Sequence, residues 1–474
     1  MSSKDPRSSL QAVDDSADAA TQVFYQKREK IYVREVHGLF ALLRVTAVVV
    51  LLGLYYGLPW LQWDGRQALL FDLPARKFYI FDLVLWPQDF FYLAVLLMIA
   101  ALSLFFFTAL AGRLWCGYAC PQTVWTEIFM WIERKIEGDR PRQMKLDKLP
   151  WNREKILKKG GKHLAWLALA GWTGFTFVGY FTPILELGNR LLSFDLGPWE
   201  TFWVIFYGFA TYGNAGWMRE QVCLYMCPYA RFQSAMFDDN TLVISYDENR
   251  GEPRGSRKKG ADHQALGLGD CIDCTMCVQV CPTGIDIRDG LQYECIGCAA
   301  CIDVCDDVMD KMGYPKGLIR YTTENALQGE STRMLRPRVL IYAALLLIVT
   351  GALVYSISQR TPLELDIIRD RSGLYRETSQ GLVENVYTLK IVNMDEEPHV
   401  YRLSVEGIEG LEVNNVERDI RVPGGEVYNL PMSLAVDPVV LDQASNSVYF
   451  TLQAVDEPSI VVVQKGRFMG PVGP

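Results

Sequence analysis

The sequence predicts a multi-domain membrane protein: an α-helical transmembrane bundle of about five spans, an inserted cysteine-rich α+β domain, and a C-terminal all-β sandwich. Three observations carry that prediction. Five apolar stretches are nearly free of charge. Eight of the twelve cysteines fall between Gly269 and Asp306. After residue 360 the chain alternates apolar and polar positions between turn residues.

At 474 residues the chain exceeds the single-domain range. Half of its residues are hydrophobic and 12% are aromatic, a composition that directs attention to membrane spans. The net charge of −8 is diffuse and argues against a nucleic-acid partner. Histidine occurs only at 37, 163, 263 and 399, which argues against a histidine-rich metal centre. Residues 1–23 are polar and aperiodic and read as a disordered cytoplasmic tail, not a signal peptide. The basic remainder of that segment reaches residue 36.

The spans follow in order. The first, Leu39 to Trp60, carries one charge, Arg44, and ends in aromatic residues that suit an interface. The second runs from Phe90 to Ala111, the third from Leu164 to Phe181, the fourth and shortest from Phe202 to Trp217, and the fifth from Val339 to Ile357. Charge orients them. Residues 113–162 hold twelve Lys/Arg, whereas 61–88 hold three and 184–199 only Arg190. The basic side is expected in the cytoplasm. That places the N-terminus and 218–337 in the cytoplasm, and 360–474 in the periplasm. All cysteines then lie on the reducing side, which favours thiolate ligation over disulfides.

The expected domains are 1–36, a tail; 37–236, four spans; 237–337, the cysteine-rich domain; 338–359, the fifth helix; and 360–474, the β-domain. In the last, segments such as VYTLKIVN and SVYFTLQAV recur between turns every 8–12 residues or so, the pattern of an immunoglobulin-like sandwich. It carries no catalytic constellation and reads as a docking or structural module. The run Arg254 to Lys259 reads as a solvated linker that also anchors the domain to anionic lipid. Gly267-Leu268-Gly269 lacks the third glycine of a dinucleotide fingerprint.

Within the cysteine-rich domain, Cys271, Cys274, Cys277 and Cys281-Pro282 give C-x2-C-x2-C-x3-C-P. Cys295, Cys298, Cys301 and Cys305 repeat the spacing without the closing proline. This is the pattern of a two-cluster bacterial ferredoxin, in which the fourth cysteine of each run serves the other cluster. One 4Fe–4S cluster is therefore expected on Cys271, Cys274, Cys277 and Cys305, the second on Cys295, Cys298, Cys301 and Cys281. Zinc sites use more widely separated pairs.

The remaining cysteines form a second repeat. Cys116–Pro121 and Cys223–Pro228 both read C-x-Tyr-x-Cys-Pro, and equivalent positions differ by 107. A duplicated two-span unit would place a site at the repeat interface. Spacing of i and i+4 puts each sulfur pair on one helix face, while the proline moves the second cysteine to a helix end. The stretch after Pro121 sets Val124, Ile128, Ile132 and Ile136 against Glu127, Glu133 and Arg134, as expected of a helix on the membrane surface. Four convergent thiols suit Cu(I), an Fe–S cluster or zinc, or they are inert packing. Met226 and Met236 are candidate thioether ligands, though methionine there is more often packing. His37 and His163 read as interfacial residues.

The chain resembles the CcoG/FixG/RdxA family of membrane ferredoxin-like accessory proteins of cytochrome c oxidase. The resemblance lies in GRLWCGYACPQTVWTEIFMWIERKIEGDR, in NAGWMREQVCLYMCPYARFQSAMFDDNTLVISYD, in the ferredoxin repeat and in the C-terminal domain. Membership implies a role in maturing a haem–copper oxidase, reduction of Cu(II) to Cu(I), and Cys116, Cys120, Cys223 and Cys227 as the candidate copper site. It also implies a copper transporter or chaperone and oxidase subunits as partners, with a cytoplasmic electron donor and a homodimer as further expectations. Two other readings stay open: a quinone-linked electron conduit, and a non-enzymatic assembly scaffold docking through its β-domain.

Overall fold

A computed structural model describes residues 30–262, 265–417 and 419–471. The tail expected over residues 1–23 and His263 lie outside the described residues. The chain divides into two compact units, one comprising the segments to Gly57, Leu104–Val178 and Phe194–Ile341, the other Leu58–Ser103, Gly179–Ser193 and Tyr342–Pro474.

Three helices among the described residues are long and apolar enough to cross a membrane: Leu39–Trp60, Pro87–Ala111 and Pro337–Ser358. Their length follows from 1.5 Å of rise per residue against a hydrocarbon layer of about 30 Å. The third and fourth expected spans fall in the helices Arg153–Val178 and Pro198–Thr211. The first of these starts with six charged residues in ten, and the second has only 14 residues, so neither has the length and composition of the other three. They cross closely where Gly174 meets Gly208. A Cβ on Gly174 would lie 2.2 Å from the Val204 carbonyl oxygen, a contact that only glycine permits.

In the first unit, the helix Pro121–Glu137 does not have the solvent-facing polar side that its sequence pattern suggests. Val124, Phe129 and Met130 are buried, and so are Glu133 and Glu137. Phe129 packs with Trp166, Ala170 and Ala215. The acids turn inward because cations meet them there. Glu133 faces Arg219 at 2.5 Å, Lys162 at 3.3 Å and Lys30 at 3.5 Å, and Lys159 reaches Glu137 at 2.9 Å. Burial alone would raise the Glu133 pKa, but these three cations bring it down to about 2.

The cysteine-rich segment is joined to the first span. Asp303, on the helix Ala300–Met312, accepts the backbone N–H groups of Phe40 at 3.1 Å and Ala41 at 2.7 Å. It thereby satisfies donors that the start of the span helix leaves open. The extended segment before the span pairs Arg34 N–H with the Gln279 carbonyl at 2.9 Å.

The second unit contains the β-domain. One sheet runs Glu412–Asn414, Val427–Val436, Val383–Asn393, Leu363–Arg369, with Arg376–Glu377 beside the third strand; the other runs Ile420–Val422, His399–Glu406, Ser445–Ala454, Val461–Met469. All pairings are antiparallel. The strand Val383–Asn393 buries every second residue over most of its length, as a half-covered sheet requires. Tyr387, Leu389, Tyr401, Phe450 and Phe468 form the shared core. The same unit holds a feature the sequence reading did not identify. Leu69–Asp72, Lys77–Ile80 and Leu83–Leu85 form a three-stranded meander with Arg76 at φ 56° in its first turn.

Candidate functional site

None of the twelve cysteines is paired in a disulfide. Equivalent residues of the ferredoxin repeat differ by 24, and the symmetry extends to the backbone. Asp273 and its counterpart Gly297 have φ of 52° and 69°, and Thr275 and its counterpart Ala299 have φ of 55° and 59°. Left-handed residues inside a tight loop turn successive N–H groups toward one point, which makes a concavity for anionic sulfur. The N–H of Gly297 is directed at the Cys295 sulfur, that of Ala300 at Cys298 and that of Val278 at Cys277.

These loops gather the cysteines into two sets. A small void is walled by Cys271, Cys274, Cys277 and Cys305 with Ile272 and Ile319. A second is walled by Cys281, Cys295, Cys298 and Cys301, with Cys277 also touching it, among Ile244, Ile285 and Ile287. The fourth cysteine of each run thus stands with the other run's first three. Burial pushes the thiols of Cys277, Cys295 and Cys305 up to about 12 and raises Cys298 and Cys301 too. A charged sulfur in such surroundings needs a bound cation to stay deprotonated, so donor type, apolar shielding and aimed N–H groups all fit an iron–sulfur cluster.

The paired motifs are built differently. Cys116 lies in the short helix Leu114–Tyr118, and Cys120 is the extended residue before Pro121, which starts the next helix. Cys227 likewise precedes Pro228, but Cys223 sits in a π-helical turn, Val222–Met226. Proline opens both downstream helices because the first helical N–H needs no partner. The Cys116 sulfur donates to Gln233 Oε1 at 3.2 Å. Burial, aided by the neighbouring cysteines of the two motifs, pushes Cys116 and Cys223 up to about 12, so the sulfurs lie within electrostatic reach of one another. Arg113 opposes both shifts. Among the described residues no three Cys, His, Asp or Glu side chains gather at single-ion spacing. Met236 is buried, Met226 is mostly exposed, and His163 bonds Tyr212 at 3.0 Å. His37 lines a separate cavity that also reaches Cys223.

The two cysteine regions touch through glycine. A Cβ on Gly117, between Cys116 and Cys120, would stand 2.6 Å from the Gly297 carbonyl oxygen and 3.1 Å from the Cys298 Cα. The helix carrying Cys116 therefore rests backbone on backbone against the Cys295–Cys298 loop. Arg113 secures the contact. Buried, it donates to the Cys295 carbonyl at 3.2 Å and to the Ala230 carbonyl just after the second motif. Tyr321 donates to the Gly297 carbonyl at 2.7 Å, and Arg44 from the first span donates to the Cys298 carbonyl at 2.5 Å. Sequence reasoning did not single out Gly117, Gly297 or Arg113. Gly117 and Gly297 were visible only as variable positions inside motifs, and Arg44 as an anomalous charge in a span.

Three segments of the chain match known families, the second of them spanning Cys116 and Cys120. Residues 218–324 match a family described as a 4Fe-4S dicluster domain, 93–138 a 4Fe-4S binding domain, and 353–471 an IG-like fold at the C-terminal of FixG, putative oxidoreductase. The chain is 41% identical to the nitrogen fixation protein FixG of Rhizobium meliloti over 421 residues, covering 81% of this chain and 80% of that one. It is 43% identical to protein RdxB of Cereibacter sphaeroides, covering 82% and 84%. A crystal structure of a FixG-related protein from Vibrio parahaemolyticus aligns with 24% of this chain and all of that one, at 34% identity and a TM-score of 0.22. The chain is an iron–sulfur electron-transfer protein with an Ig-like C-terminal domain, and it belongs to the FixG/RdxA family.

Proposed function

We propose that this protein reduces Cu(II) to Cu(I) at Cys116, Cys120, Cys223 and Cys227 for assembly of a haem–copper cytochrome c oxidase. Cys271, Cys274, Cys277 and Cys305 would hold one 4Fe–4S cluster, and Cys281, Cys295, Cys298 and Cys301 the other. Bound clusters supply electrons singly, the unit that cupric reduction takes. The observation that carries the reading is the glycine contact, because the thiol pair at 116 and 120 shares a backbone interface with the loop holding Cys295 and Cys298. Thiolates retain soft Cu(I) in preference to the harder Cu(II). Arg113 offsets the charge of the paired thiols.

In this reading the chain crosses a bacterial inner membrane five times, with the cluster domain in the cytoplasm and the β-domain in the periplasm. The domain borders given from the sequence follow from that path. A cytoplasmic donor supplies electrons, a copper transporter or chaperone delivers the ion, and oxidase subunits receive it. Anaerobic purification with iron and copper counts, followed by cupric reduction assays of Cys116→Ala, Cys120→Ala, Cys223→Ala and Cys227→Ala, tests the site. Loss of reduction with iron retained is expected, and unchanged reduction in all four variants would overturn it.

A further inference from the structure

The first unit contains a cavity of about 480 Å³, inside the range of roughly 300–1,000 Å³ typical of small-molecule sites. Its walls come from the first span, the helix Pro121–Glu137 and the cysteine-rich fold, and they include Cys223 and Cys298. Leu42, Val45 and Trp131 line it yet remain 62%, 53% and 50% exposed. Residues that are both lining and open mark a mouth, and two of these belong to a helix able to cross a membrane. The mouth therefore opens beside the first turns of that helix, next to the segment 33–38 that precedes it.

Inside, the lining turns polar. Gln122 donates to Thr126 Oγ1 at 3.2 Å, and Arg134 pairs with Glu127 at 3.4 Å. Arg134 and Thr126 line it as polar side chains beside the apolar Ala41, Leu42, Val45 and Met130. The lining arginines 34, 44, 134 and 219 are matched by Glu35, Glu127 and Glu220, and Arg219 is already engaged by Glu133. A balanced lining does not select an anionic headgroup. It suits a neutral guest with oxygen acceptors and an apolar body. The presence of Cys298 in the wall makes a redox-active ring the fitting member of that class.

We propose that this cavity is a binding site for a lipid-soluble quinone. The proposal is independent of copper and concerns occupancy alone. Its test is photolabelling of the iron-loaded full-length protein with an azido-benzoquinone bearing a decyl tail, followed by mapping of labelled peptides. Label is expected on residues 39–57 and 121–137, displaced by unlabelled decyl-benzoquinone. It should fall about tenfold or more in Val45→Trp and Thr126→Phe with iron content unchanged. Val45 lies outside the cluster fold, so that variant decides the matter if Thr126→Phe does not fold.

Label confined to other segments, label equal to the parent in the Val45→Trp protein, or displacement by decanol as effective as by the quinone would overturn the proposal, the last in favour of ordinary lipid. No turnover is read, so the labelling can fail while cupric reduction stands, and the converse.

Discussion

The chain contains two cysteine repeats, and they obey different kinds of symmetry. The 24-residue repeat is symmetric down to φ, with left-handed residues at 273 and 275 and again at 297 and 299. The 107-residue repeat is symmetric only at its Cys–Pro caps. Gly117, whose backbone touches a cluster loop, corresponds to Leu224, which carries a bulky side chain. Tyr118 is half-buried, whereas its counterpart Tyr225 is 71% exposed. Arg113 corresponds to Glu220. The difference teaches that a loop which must aim its N–H groups at sulfur tolerates little variation. A pair of thiols at a helix junction can instead diverge, one copy serving as a contact with the cluster loop and the other facing a cavity.

The largest effect is expected from Gly117→Leu. Its Cβ would meet backbone atoms that no rotamer change can move. Affinity for the second cluster should fall about 10–100-fold, as when a supporting partner of a metal ligand is lost, with about half the iron missing on analysis. Leu224→Gly in the other copy should retain full iron and lose only about 1 kcal/mol of stability. Equal iron loss in both variants would erase the asymmetry.

Next in size is Glu133→Gln, which breaks the tie between the helix after the first motif and Arg219 just before the second. Removing one partner of a buried ion group costs about 3 kcal/mol. The pH profile sharpens this. Because the folded-state pKa is depressed from 4.5 to about 2, the Glu133 contribution is present above 4.5 and is lost as pH falls toward 2. Thermal denaturation of the parent should weaken across that window, and the Gln variant should lack that component. The smallest effect is expected from Gly297→Ala. A non-glycine residue at φ 69° costs about 1–2 kcal/mol, and its Cβ would press on the Arg113 carbonyl oxygen at 3.0 Å. Urea unfolding monitored through cluster absorbance would read it; no shift in midpoint would mean the loop relaxes freely.

Much of the fold was legible along the chain. The apolar runs at 39–60, 90–111 and 339–357 appear as long helices, and the alternation after 360 appears as two packed sheets. These patterns are local, set by side-chain periodicity against lipid or a sheet face. The helix after Pro121 was legible as a helix but not in its orientation. Glu133 reads as a surface residue until Arg219, Lys162 and Lys30 are brought around it, and those partners lie 29 to 103 positions away in sequence. The meander at 69–85 was hidden because its strands are three or four residues long.

The cysteine spacings by themselves determined how many thiols each loop could present and which fourth cysteine would join each set, because a short loop restricts where its sulfurs can point. What only the tertiary structure decided is how the two repeats meet. The approach of Gly117 to Gly297 depends on the absence of two Cβ atoms from helices and loops 180 residues apart. No periodicity encodes such a contact, since a missing side chain leaves no pattern until another backbone fills the space.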